Sequence, residues 1–239
     1  MSLRTRLSAA AVGAVFAVGA AALPAHAATA DSGAGLTKAK AAVTDGITDR
    51  LTTLGNLQTS LTAYKDLPDA ARGTLSQVIA SDISGLTALK AKVAGETTEA
   101  AVRADGKAMV DDYRVYLLVV PKVHLTHVLD VENAAAARLV KVHDALADRL
   151  AKDPAADTQA NKDLLADMSA AIQAADTGVD GKDAALLALQ PSPDGKGLTA
   201  AVKEASGPAK AARDELKKAV ADAKKVRDAL KDSRTAAKG

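Results

Sequence analysis

Lysine recurs every seven residues through Lys196, Lys203, Lys210, Lys217, Lys224, Lys231 and Lys238, without a miss. Two apolar columns run beside it. One is Val202, Ala209, Leu216, Ala223 and Leu230; the other is Leu198, Ala205, Ala212, Ala219 and Val226. Their alternation at three and four residues gives them the a and d positions of a coiled-coil-like helix and leaves the lysines at b, beside the seam and facing solvent. A strand repeats every two residues and cannot use such a rule. The C-terminal part of the chain is therefore committed to long helix packed on other helices. Gly207-Pro208 is expected to break it, because proline removes a backbone donor and crowds the preceding turn.

The rest of the chain keeps the same period. Val43, Ile47, Leu51, Leu54, Leu57, Leu61 and Tyr64 mark one face of a helix that starts near Leu36 and ends near Asp66, since Leu67 precedes Pro68. Pro68 suits the first turn of a second helix, whose apolar face includes Leu75, Ile79, Leu86 and Val93 and whose stop is Gly95. The short link predicts an antiparallel hairpin. A third helix begins near Thr98, passes through the apolar window 115–120 and meets Pro121. Proline there either kinks one very long helix or starts a new one. No Gly, Asn or Ser stands nearby to make a turn, which favours one helix kinked at Pro121 and continuing to Leu150. Residues 155–175 predict a shorter helix and 183–189 one or two turns more. Residues 190–195, Gln-Pro-Ser-Pro-Asp-Gly, are the clearest loop. Alanine, the strongest helix former, makes up about a quarter of the chain, and no segment shows a convincing strand period.

The fold class that follows is all-α: an elongated antiparallel helical bundle, coiled-coil-like. Two architectures fit, a single elongated bundle or two bundles sharing the long helix kinked at Pro121. Similarity between residues 43–51 (Val-Thr-Asp-Gly-Ile-Thr-Asp-Arg-Leu) and 142–150 (Val-His-Asp-Ala-Leu-Ala-Asp-Arg-Leu) supports the second. The chain divides into residues 1–27, 28–35 as a flexible lead-in, 36–152 as a long-helix bundle, and 153–239 as acidic short helices plus a basic C-terminal helix on or beside that bundle.

Residues 1–27 read as a secretion signal. Arg4 and Arg6 precede an uncharged stretch from Leu7 to Leu23, and Ala25-His26-Ala27 supplies a small-x-small cleavage site marked by Ala25 and Ala27. The expected location is extracellular or cell-wall associated, and no segment after the signal is long enough to span a membrane. Without cysteine there is neither a lipid attachment site nor a disulfide, so packing alone must hold the fold. The only aromatic residues beyond the signal are Tyr64, Tyr113 and Tyr116, which argues against an aromatic sugar platform and against base stacking.

Charge is segregated. Without Arg4 and Arg6 the cations and anions are equal at 29. Residues 153–195 carry two Lys/Arg against eight Asp/Glu, and 196–239 carry twelve against six. Either the two segments lie together and neutralise each other, or the lysine row is an exposed cationic ridge. In the second case Lys203, Lys210, Lys217, Lys224 and Lys231 would bind a polyanion such as a wall polymer, nucleic acid or anionic lipid.

His124, His127 and Asp130 are spaced by three, so both imidazoles lie on one helix face with a carboxylate following. That set suits a divalent ion weakly; the plainer alternative is partly exposed histidines on a bundle helix. There is no G-x-S-x-G elbow, cysteine nucleophile or nucleotide loop, so no cofactor and no catalytic constellation is expected.

The signal, the alanine-rich texture and the stretch Asp112-Tyr113-Arg114-Val115-Tyr116-Leu117-Leu118-Val119-Val120-Pro121 resemble secreted, alanine-rich helical proteins of high-GC bacteria. The resemblance implies export and a helical fold; it carries no activity and no functional residue. The expected function is a secreted, non-enzymatic scaffold or interaction protein at the cell envelope, with a wall polymer or an envelope protein as partner and with self-association through its apolar seams. Polyanion binding through the lysine row is the alternative, and weak divalent-metal binding a third.

Overall fold

The computed structural model describes residues 33–237. The cleavage-site residues Ala25 and Ala27, the first part of the lead-in and Lys238 lie outside them. Among the described residues there is no strand, and seven α-helices form an all-α bundle.

Helices α1 (Gly33–Ala63) and α2 (Asp69–Gly95) form the first hairpin. Gly33 to Gly35, expected in the lead-in, already belong to α1. Lys40, near the start of α1, donates to the carbonyl of Ala94 at the end of α2 (2.8 Å), so the two run antiparallel. At the other end Arg72 turns back onto the carbonyls of Leu61, Tyr64 and Leu67. Carbonyls at a helix end have no partner within the helix, and this guanidinium supplies one. Pro68 stands at the N-cap of α2. Helix α3 (Glu99–Asp111) starts at Thr98, whose hydroxyl accepts from the amide of Ala101 (3.3 Å).

The interruption expected at Pro121 lies earlier. The chain leaves α3 and reaches Arg114 in the left-handed region (φ 46°), then makes one π-helical turn, Val115–Val119, that runs directly into α4 (Val120–Leu150). Pro121 sits in the first turn of α4. Proline in a regular helix crowds the carbonyl four residues back. The wider π turn, with the Val119 amide reaching Arg114 (3.3 Å), receives the ring without a break. There is thus no single long helix from Thr98 kinked at Pro121.

Arg114 is held there by its own side chain. It donates to the carbonyls of Ser192 (2.8 Å) and Pro193 (2.7 Å) and pairs with Asp111 (2.8 Å), which ties the 190–194 loop to the break. Arg114→Ala should lower stability to urea by about 1–3 kcal/mol, the range for hydrogen bonds to a charged group. Arg114→Gly should lose about 1 kcal/mol less than the alanine variant, because glycine adopts this backbone without strain. Equal losses in the two variants would mean that the left-handed residue carries no strain.

Helix α5 (Gln159–Val179) is capped by Thr158. Helix α6 (Lys182–Ala188) follows Gly181, whose positive φ of 66° suits a residue without Cβ. Asp194 then caps α7 (Gly195–Ala236), its carboxylate accepting from the amide of Gly197 (2.9 Å). Pro208 lies inside α7, and the break expected at Gly207-Pro208 does not occur. An internal proline costs about 3 kcal/mol. Here seam residues on both sides of it, Ala205 and Ala209, are buried against the bundle and hold the axis.

Two apolar cores form. One joins α1, α2, α3, the π turn and the start of α4, around Ile47, Leu54, Leu75, Ile79 and Leu86. The other joins α4 from Leu129 onward to α5 and α7, around Leu129, Met168, Ile172 and Val226. Each such side chain, fully buried, contributes about 1.5–3 kcal/mol. Helix α4 belongs to both. The echoing segments are buried alike at Ile47 and Leu146, but Val43 packs on the first core whereas Val142 is 43% exposed.

Where the cores meet, α4 turns a polar stripe inward: Lys122, Thr126 and Asp130, spaced by four and all buried. The Lys122 ammonium donates to the carbonyls of Leu187 (3.1 Å) and Leu189. Asp82 of α2 is buried near it. Burial pushes the Asp82 carboxyl up to about 6 and pulls the lysine below its ordinary range, each opposed by the charge of the other.

Candidate functional site

The seam of α7 explains how its lysines are presented. Leu198, Ala205, Ala209, Ala212, Leu216, Ala219, Val226 and Leu230 are buried, with Val202 and Ala223 half-buried, so both apolar columns face the bundle. Lys196, Lys203, Lys210, Lys217, Lys224 and Lys231 all point to solvent. With a rise of about 1.5 Å per residue, successive lysines stand about 10 Å apart along one unbroken helix.

The acidic segment does pack beside this helix, since α5 and α7 share a core. Neutralisation of the lysines, however, is local to α7. Lys217 pairs with Asp214 (2.9 Å), Lys218 with Glu215 (2.6 Å) and Lys225 with Asp222 (2.7 Å). Such exposed pairs contribute about 0–1 kcal/mol each. Among the described residues, Lys196, Lys203, Lys210, Lys224 and Lys231 take part in no salt bridge.

Sequence reasoning missed that α4 adds to this surface. Lys141 and Arg149 of α4 stand beside Lys224 and Arg227 of α7. The signal was present in seven-residue spacings, Val142 to Arg149 and Val220 to Arg227 to Arg234, which place a valine and an arginine in one column. Arg213, the same column one heptad earlier, reaches across to α4 and lies 3.1 Å from the Glu132 carboxylate without the alignment of a hydrogen bond. Burial pushes Glu132 up to about 7, and Arg213 only partly opposes it.

His124, His127 and Asp130 do not converge. The hydroxyl of Tyr64 lies 2.9 Å from Nδ1 of His124, and its ring stacks on that of His127 with centroids 3.7 Å apart. Burial lowers both imidazoles below the usual histidine range. Asp130 points instead into the polar stripe, where burial and the Asp183 charge raise it to about 6. Among the described residues no three metal-binding side chains come together. The pair is a clamp that joins the end of α1 to α4 through Tyr64.

The apolar window before Pro121 belongs largely to the interior. Val115, Leu118 and Val119 are buried, whereas Tyr116 is exposed beneath the Arg50 guanidinium, 5.0 Å from its ring centroid. No described helix is long and apolar enough to cross a membrane. No protein family, curated protein or solved structure matches the chain.

Proposed function

We propose that this chain is a secreted helical-bundle interaction protein of the cell envelope, that it acts by binding rather than by catalysis, and that its ligand is an anionic polymer lying along α7. The observation that carries this reading is the lysine row, continuous on one exposed line because Pro208 does not break the helix. A row of cations with this regular spacing displaces the counterions of a linear polyanion, and that release drives association. Lys141 and Arg149 broaden the positive face on the α4 side.

The test is calorimetric titration of the full chain with inorganic polyphosphate. Five lysine contacts should weaken binding about 100-fold between about 50 and about 200 mM salt. Replacing Lys203 and Lys210 by glutamine should flatten that salt slope while leaving the fold intact, since both are exposed. Absence of binding at low salt, or binding insensitive to salt, overturns the reading.

A further inference from the structure

A groove runs between α4 and α7 with a floor and rim of opposite character. Leu139, Val142 and Leu146 from α4 and Val220 and Ala223 from α7 form the floor. Val142 and Val220 are 43% and 38% exposed, a location that leaves apolar surface in water. The rim is Lys141, Arg149, Lys224 and Arg227, and no carboxylate lines the groove. Its volume is about 490 Å³. At one end Arg149 and Arg227 also border a second depression of about 420 Å³ that contains Lys231 and Arg234. Arg227 is held by Asp228 (2.9 Å); among the described residues Lys141, Arg149, Lys224, Lys231 and Arg234 form no salt bridge.

Each half of this arrangement is a cost without an occupant. Exposed valines order water, and clustered cations repel one another. A ligand with a tail and an anionic head removes both costs at once. We propose that the groove binds a free single-chain anionic amphiphile of the fatty-acid class. Its chain would lie on the Val142–Val220 floor, with its carboxylate toward Arg149, Arg227 and Lys231. The volume falls in the range of small-molecule sites, about 300–1,000 Å³. The span from Leu139 to Arg149 is about 15 Å of helix, which matches a chain of roughly a dozen carbons. A polymer has no tail to place on this floor, so the site goes beyond the lysine ridge, with which it shares Lys224 and Lys231.

The experiment is calorimetric titration of the full chain with dodecanoate, octanoate and dodecyltrimethylammonium, each below its micelle concentration. Dodecanoate should bind at least about tenfold more tightly than octanoate, because each buried methylene adds to affinity. The cation-headed analogue should not bind. Val142→Ser with Val220→Ser should weaken dodecanoate about tenfold, and Arg149→Gln with Arg227→Gln should do the same. All four residues are exposed, and thermal melting of each variant checks the fold. Equal affinity for both head groups, or for both chain lengths, overturns the proposal. So does binding to anionic vesicles with none to free dodecanoate. A dimer that the Val142/Val220 variant dissolves assigns the groove to a second copy and overturns it as well. Lys203→Gln with Lys210→Gln should leave dodecanoate binding unchanged, so failure of the polymer reading and failure of this one are distinguishable.

Discussion

Lys122→Ala should lower the stability of the fold by about 3–5 kcal/mol, the loss expected when one member of a buried charged arrangement is removed. Lys122 is 2% exposed and is among the largest fully buried side chains in the protein. Three contributions act together. The carbonyls of Leu187 and Leu189 lose their ammonium donor. Asp82 loses the positive charge that offsets its burial. The aliphatic stem leaves a cavity at the junction of the two cores. Lys122→Met fills the stem volume and removes only the charge and its hydrogen bonds, so its loss should be smaller, about 1–3 kcal/mol. Urea unfolding of both variants measures the difference. A loss below about 1 kcal/mol for the alanine variant would show that the junction is held by apolar packing alone.

The second large effect is a stability that falls as pH rises from about 6 to about 8. Three buried carboxyls are pushed up by burial: Asp82 and Asp130 to about 6, and Glu132 to about 7. In the unfolded chain these groups ionise near their ordinary values. Between the unfolded and folded pKa the native state therefore holds more protons, so the contribution of these carboxyls to stability is greatest at low pH and is lost as pH rises through the folded value. His124 and His127 act in the opposite sense. Their folded pKa is depressed, so below about pH 6.5 the unfolded chain gains protons that the folded chain refuses, and stability falls with acid there. The two trends oppose each other until the unfolded histidines have lost their protons, somewhat above about pH 7, so the net fall is shallow below that and belongs to Glu132 above it. Glu132→Gln should flatten the fall between about pH 6 and 8 and be the more stable protein at about pH 8, by about 1–3 kcal/mol. Its partner Arg213 is largely solvated and tolerates the loss. Melting temperatures across pH test this; a wild-type stability that is flat or rising over that range contradicts it.

The helices themselves were legible because their signals are local. Thr98 caps α3 as its hydroxyl allows, Pro68 stands one residue before the first turn of α2 where the sequence placed it, and the two columns of α7 are buried as their spacing demands. Arg114 was not legible. A left-handed residue is normally announced by glycine or asparagine, whereas here a long side chain anchored on Ser192 and Pro193 compels it. Gly207-Pro208 misled for the converse reason: the local signal was sound, but packing at Ala205 and Ala209 overrode it. Asp130 stands out in the sequence only as a companion of His124 and His127, and nothing local marks Lys122 or Glu132; only the meeting of two cores turns all three inward. Of the candidate surface, the lysine row was plain in the sequence. The α4 side was not, because Lys141 and Arg149 acquire meaning only when a distant helix is laid beside them.

The alanine seam of α7 has a mechanical consequence. Ala205, Ala212 and Ala219 occupy one column and present the same methyl group every seven residues. A thread with identical teeth has no inherent phase; advanced by one tooth, it meshes again, and lysine lands where lysine was. Phase must come from the irregular parts. Leu198 and Val226 end the alanine column, Leu216 and Leu230 stand in the other, Arg213 faces Glu132, and Ser233 donates to Asp153 (2.5 Å) like a pin through the far end. The position of the cationic rank opposite Arg149 is therefore set by the large seam residues and these locking contacts rather than by the alanines, and a slip of one heptad would carry Arg227 a full tooth, about 10 Å, out of alignment.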